Sequence, residues 1–225
     1  NQYFGGAINA GVIQHSIDES KLKWDNQYVG AAGFDQTMSS GENISFENVL
    51  AGDISAGILW RYSSKETYMT ANDNISINIG LSGFHLNRPL ISFYNGENNR
   101  LLSRYVIHSN IYFGIPNSNL AIIPSTLMMF QGKHKEIIGG ALLKYNIKEQ
   151  SKHTHYNNSS SVALGGSIRT GDALIIETLF EFSGFSLGLS YDINTSRLRA
   201  TTHSRGGLEL SLCYKGHKKH STSKY

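Results

Sequence analysis

The feature that most constrains this chain is an alternation of apolar with small or polar residues, period two, sustained over segments of mostly 10 to 13 residues. At the C-terminus Gly206, Leu208, Leu210, Leu212 and Tyr214 share one face, and Gly207, Glu209, Ser211 and Cys213 the other. Phe185, Leu187, Leu189, Tyr191 and Ile193 alternate with Ser186, Gly188, Ser190 and Asp192. The same pattern marks Ile75 to Ser82, Ile54 to Ser63 and Phe4 to Val12. Ten such segments can be read, near 3–15, 52–63, 74–85, 103–115, 118–130, 134–146, 160–170, 172–182, 184–194 and 206–215. Strands of globular proteins usually have about 5–6 residues, whereas a tilted strand crosses a bilayer with about 9–11. Pro124 sits inside the fifth segment, where a paired strand should lack it, and predicts a bulge there.

The connections point the same way. The longest, 16–51, 86–102 and 195–205, all follow odd-numbered segments, and several others are tight turns. In an up-and-down antiparallel sheet the odd connections share one end. Outer-membrane barrels place long loops outside and short turns in the periplasm. Tyr62, Tyr145, Phe182 and Tyr214 then fall in a periplasmic aromatic girdle and Tyr191 in the outer one. The expected fold is an all-β, antiparallel up-and-down transmembrane β-barrel spanning residues 1–215, followed by a basic tail, 216–225. A soluble lipocalin or sandwich shares the alternation. Strand length, aromatic placement and loop asymmetry favour the membrane barrel.

Composition narrows the function classes. Of 225 residues 16% are charged, against about 25% in ordinary soluble domains, and the net charge is only +3. That excess is too small for a nucleic-acid protein, and much of it lies in the tail. No run of 18 apolar residues exists to make a transmembrane helix. The single cysteine, Cys213, allows neither an internal disulfide nor a cysteine zinc site. The chain opens at Asn1 without a signal peptide and reads as lacking an N-terminal part.

Candidate chemistry is sparse. His153 and His155 have alternate spacing but no further ligands nearby, so no metal site is expected. His217 and His220 bracket lysines in the tail and read as solvated. Glu177 and Glu181 share a strand face about 13 Å apart, too wide for a glycosidase pair. They read as two lumen-facing charges. No nucleophile elbow, phosphate loop or EF-hand loop occurs, and no cofactor is expected. The connection 16–51 is the densest polar stretch. Trp24 and Tyr28 either fold onto a barrel mouth or form a partner surface.

The runs IDESKLKWDNQY (17–28), GFD (33–35), SGEN (40–43), DISAGILWRYSSKE (53–66), GLSGFHLNRP (80–89) and SRYVIHSN (103–110) come in that order. They are followed by IIPSTLMMFQGKHKEIIGGALLKY (122–145), RTGDALI (169–175), LGLSYDINTSRL (187–198) and RGGLELSLCY (205–214). As an ordered set the chain resembles the PorP/SprF family of Bacteroidota outer-membrane proteins from about residue 3 to 214. The resemblance implies a barrel of the bacterial outer membrane tied to the type IX secretion system and, in gliding species, to surface motility. It implies partners among outer-membrane lipid, type IX components and secreted adhesins carrying a C-terminal sorting domain. It implies no enzymatic activity and no catalytic residues. The family's N-terminal segment is not found here. With about fourteen strands in a full member, the ten read here are its C-terminal majority, with two open edges. Trp24, Asp25, Asn26, Tyr28 and Arg88 are the expected partner-binding residues, on loops 16–51 and 86–102. A general diffusion porin is the alternative; an outer-membrane hydrolase has nothing positive in its favour.

Overall fold

In the computed structural model of this protein, residues 1–18, 21–30, 33–41, 48–64, 72–93, 98–148, 159–197 and 199–215 are described. Ten strands follow one another as the alternation demands. They are β1 (Gln2–His15), β2 (Val49–Ser63), β3 (Ile75–Phe84), β4 (Arg104–Gly114) and β5 (Leu120–Gln131). Then come β6 (His134–Lys148), β7 (Ser160–Arg169), β8 (Ala173–Phe182), β9 (Phe185–Asn194) and β10 (Arg205–Tyr214). They form one ten-stranded sheet in sequence order, β1 to β10, and no pairing of β1 with β10 occurs among the described residues. From β5 to β10 every neighbouring pair is antiparallel. A single helical turn, α1 (Arg199–Thr202), sits between β9 and β10. By internal contacts the chain divides into two units. One is Asn1–Ala7 with Gly57–Ser82 and Tyr105–Tyr225, and the other is Ile8–Ala56 with Gly83–Arg104.

The faces of the sheet are inverted relative to a water-soluble protein. On β8 the apolar row Leu174, Ile176, Phe180 and Phe182 is exposed. The opposite row, Ala173, Ile175, Glu177, Leu179 and Glu181, is buried or half-buried. On β7 Leu164 and Ile168 are bare while Ser161, Ala163 and Ser167 are buried. On β9 Phe185, Leu187, Leu189 and Tyr191 are bare, against half-buried Ser186, Gly188 and Ser190 and buried Asp192. Register carries the division across strands: Leu143 pairs with Leu164, Ile176 with Tyr191, and Leu189 with Leu210. Among the described residues the buried apolar set is only Val49, Ala121, Ala163, Ala173 and Ile175. Among the described residues no side chain is both large and fully buried. A chain whose apolar side chains stay this bare gains little from water, since each buried Leu or Phe side chain contributes about 1.5–3 kcal/mol. The sheet needs an apolar solvent on that face.

Strand length and aromatic placement match such a solvent. Ten residues at about 3.3 Å each, tilted by roughly 40°, span about 25 Å, the height of a barrel's apolar band. Tyr145, Phe182, Phe185 and Tyr214 cluster at the even-connection end, with the Phe185 and Tyr214 rings 4.6 Å apart. At the opposite end stand Tyr105, Phe130 and Tyr191. The loop asymmetry is narrower than the alternation alone implies. Connections 16–48 and 85–103 are long, but 195–204 is no longer than the even connections 64–74 and 149–159.

Pro124 makes no bulge against β6: pairing runs one to one from Leu120 opposite Tyr145 to Gln131 opposite His134, with Pro124 opposite Ala141. An antiparallel strand directs its N–H groups alternately to its two neighbours, so a proline loses one bond on one side and requires no inserted residue. From β5 to β10 the register shifts lie instead between Asn146 and Lys148 and between Arg205 and Leu208.

At the even end a side chain braces the backbone turn between two strands. Asn72 has a left-handed backbone (φ 44°), which Asn tolerates better than most residues, and is 5% exposed. Its Nδ2 donates to the carbonyls of Ser118 (2.7 Å), Leu120 (2.8 Å) and Ile115 (3.4 Å), closing the β4–β5 turn. Its Oδ1 accepts from the Tyr112 hydroxyl (3.3 Å). Gly114 leaves the space: a Cβ there would collide with the Asn72 backbone. Replacing Asn72 by Ala removes the donor of the Ser118 carbonyl, while the Leu120 and Ile115 carbonyls keep the Ile115 and Ser118 N–H groups, and is expected to cost about 1–3 kcal/mol. Urea unfolding of the detergent-folded protein, followed by tryptophan fluorescence, measures it; an unchanged midpoint would refute the capping role.

Candidate functional site

Two regions carry organised polar chemistry. The first is the covered face of β6 to β9, where long charged side chains reach over small residues of the intervening strand. Lys144 on β6 reaches across β7, beside Ala163, to pair with Glu181 on β8. Glu181 also accepts from the Ser161 hydroxyl (2.8 Å). Arg169 on β7 reaches over Ala173 of β8 to Asp192 on β9 (3.0 Å) and also meets Asp172 (3.2 Å) and Glu136 (3.5 Å). Glu177 accepts from the Ser167 hydroxyl. Glu177 and Glu181 therefore sit on the covered face, each with its own donors, and do not converge as a catalytic pair. A cavity of about 450 Å³ opens on this face, lined by Arg169, Glu177, Asp192 and Glu209 together with Ile138 and Leu142 among others. Among the described residues no group of three or more His, Cys, Asp or Glu is placed to hold a metal ion. His153, His155, His217 and His220 lie outside the described residues.

The second region is the β1–β2 connection, whose described part is folded around Gln27. Asp25–Gln27 forms one 3-10 turn. The Gln27 N–H donates to the Trp24 carbonyl (3.0 Å), and the Trp24 N–H donates to Gln27 Oε1 (3.2 Å). The second bond is the glutamine half of a capping box, while the first goes to the Trp24 backbone because an indole has no acceptor to offer. Gln27 Nε2 donates to the Met38 carbonyl (3.0 Å), and the Gln27 carbonyl accepts from the Asp35 N–H (2.8 Å). Asn26 Nδ2 donates to the Ser40 carbonyl (3.0 Å). Tyr28 bridges Phe34 in antiparallel fashion, with their rings 5.6 Å apart and the Lys23 ammonium 4.9 Å from the Phe34 ring centre. The Thr37 hydroxyl and amide both donate to Asp35 and hold its carboxyl below the usual carboxylate range. The result is a small knot in which Gln27 is buried and Tyr28, Val29 and Met38 are exposed.

Four of the five sequence-expected residues, Trp24, Asp25, Asn26 and Tyr28, thus belong to one knot. Trp24 is half-buried and the other three are exposed. Arg88 stands elsewhere. It closes the turn His85–Arg88, with a left-handed backbone (φ 47°) and its N–H on the His85 carbonyl (3.0 Å). No hydrogen bond, ion pair or ring contact among the described residues joins it to the Trp24–Tyr28 segment. The turn is stapled to β2: Leu86 N–H donates to Ile54 O (2.9 Å), Asn87 Nδ2 to Gly52 O (2.7 Å), and His85 Nδ1 lies 3.0 Å from Asp53. Sequence reasoning passed over Gln27 as an organiser. The signal was its place three residues after Trp24, the glutamine position of a capping box.

The chain matches the family model described as Type IX secretion system membrane protein PorP/SprF over residues 1–214. No curated protein and no solved structure matches it. Truncating Gln27 to Ala removes two side-chain bonds that close the knot, each worth about 0.5–1.5 kcal/mol. Amide hydrogen exchange should quicken across residues 24–38 and stay unchanged in the strands. Uniform loss of protection would instead assign Gln27 to the whole fold.

Proposed function

The chain belongs to the PorP/SprF family of type IX secretion system membrane proteins, and from that premise we propose that it is an outer-membrane up-and-down β-barrel that anchors secreted adhesins at the cell surface. The observation that carries the membrane part is the inverted sheet: exposed apolar rows, covered polar rows and strands of bilayer-crossing length. The partner part rests on the knot around Gln27. A polar connection that buries its own glutamine while presenting Tyr28, Val29 and Met38 is organised for contact. Asp25 and Asn26 flank these residues and supply the polar rim. The work is binding and display, with gliding motility as its consequence where the host glides. The partner is a secreted adhesin with a C-terminal sorting domain, held alongside type IX components.

On the covered face Lys144 pairs with Glu181 and Arg169 with Asp192, a lining compatible with either an anchoring barrel or a diffusion porin. A diffusion porin predicts steady ion conductance in planar bilayers, and the anchoring reading predicts none above background.

In the native host, mild-detergent extraction of the tagged protein should recover a large secreted adhesin or type IX components. A Trp24→Ala/Tyr28→Ala variant should lose most of that yield at an unchanged outer-membrane level. Equal recovery from the variant would remove the knot from the partner surface. The membrane reading has its own check. Leu164→Arg, in the bare row of β7, should destabilise the folded protein by about 2–4 kcal/mol if that row meets the bilayer midplane. A soluble sheet would tolerate an exposed arginine there.

A further inference from the structure

We propose that Arg88 and Arg100 form a phosphate-binding ledge for the outer-leaflet glycolipid, an inference that rests on the membrane reading above. The excursion between β3 and β4 is built rather than loose. Leu90 pairs with Arg100 across an antiparallel bridge. Ile91 N–H donates to Asn99 O (2.9 Å) and Leu101 N–H to Pro89 O (2.9 Å). Arg100 is held by two bonds, Nε to Asn98 Oδ1 (3.0 Å) and Nη1 to the Arg88 carbonyl (3.3 Å). That second bond brings the two arginines together. No carboxylate among the described residues touches either guanidinium, and both residues are exposed. Leu86, Leu90 and Leu102 beside them are 42%, 44% and 42% exposed.

Two guanidinium groups that meet no carboxylate among the described residues, set near exposed leucines, suit one kind of surface. The leucines match acyl chains, and the forked donors match phosphate oxygens. Chain position agrees. Arg88 lies four residues past Phe84, the last residue of β3, and the His85–Arg88 hydrogen bond folds that span back into a turn. The polar layer of a bilayer is about 5–8 Å deep on each side of its hydrocarbon core. A turn that leaves the apolar band and folds at once places its arginine within that layer. The connection follows an odd-numbered strand, which is the outer end in the orientation proposed above. The sequence grouped Arg88 with Trp24–Tyr28 as a contact for a protein. Its surroundings here are those of a lipid contact.

The test uses the purified, detergent-folded chain and lipid A, with dephosphorylated lipid A and inorganic phosphate as the other probes. Retained lipid is counted by native mass spectrometry. Wild-type protein should retain lipid A and not the dephosphorylated form, and equimolar inorganic phosphate should not displace it. Arg88→Gln/Arg100→Gln should retain it at least about tenfold less well, two charge-assisted bonds being lost. Heat-modifiable migration of the variant must stay that of the wild type, and Arg88→Lys/Arg100→Lys should recover part of the retention. Equal retention by wild type and glutamine variant overturns the proposal. So does displacement by inorganic phosphate, which would mark a general anion site, or loss of adhesin yield with lipid A retained, which would mark a protein contact. If the wild-type protein fails to fractionate with the outer membrane, the underlying reading falls as well; if it fractionates and the lipid counts do not differ, only this inference falls.

Discussion

Backbone hydrogen bonding between neighbouring strands is what everything else in this protein depends on. With apolar rows turned outward, the sheet cannot rely on a packed core of large side chains, and among the described residues none is both large and fully buried. What remains is the ladder. From β5 to β10 pairing is antiparallel and nearly unbroken, with register shifts only where β6 meets β7 and where β9 meets β10. In a hydrocarbon environment each unpaired N–H or carbonyl costs several kcal/mol, so the ladder is enforced by the solvent itself. Pro124 fits that logic. It is half-buried, with its pairing to β6 in register.

Small residues on the covered face follow from the same constraint. Once polar groups line that face, their charges must be neutralised by neighbours rather than by bulk water. Lys144 and Glu181 stand on strands separated by β7, and Arg169 and Asp192 on strands separated by β8. Each pair closes only because the strand between contributes a short side chain, Ala163 or Ala173, which are 2% and 1% exposed. A leucine at either place would stand in the path of the bridging side chain. The alanines therefore belong to the electrostatics of the face as much as to its packing.

All ten strands were legible in the sequence, because period-two alternation is a local signal and each strand reports its own faces. Boundaries fell within a few residues; β2 begins at Val49, where alternation alone pointed to 52. The knot was half legible. Trp24 to Tyr28 stood out as an aromatic, polar run, but the role of Gln27 depends on Met38 and Asp35, which only folding brings near. Arg88 was visible as a loop charge, whereas its partner in space, Arg100, is twelve residues away and joined through a backbone carbonyl. Asn72 was invisible for the same reason: its three acceptors lie more than forty positions along the chain. Side chains that brace a turn leave no periodic trace.

That difference also separates the two surfaces in the connections. The knot closes on itself through a buried amide, so its outward residues are free to be chosen for a partner without disturbing the strands. The β3–β4 excursion closes instead on the sheet, through Asn87 to Gly52 and Leu86 to Ile54. Its arginines are consequently fixed relative to the end of the strands and not to a mobile partner. A group held at constant height above an apolar band is suited to a planar target, and a self-contained knot is suited to a shaped one. The proposed division of labour between lipid and protein contact rests on which hydrogen bonds hold each connection.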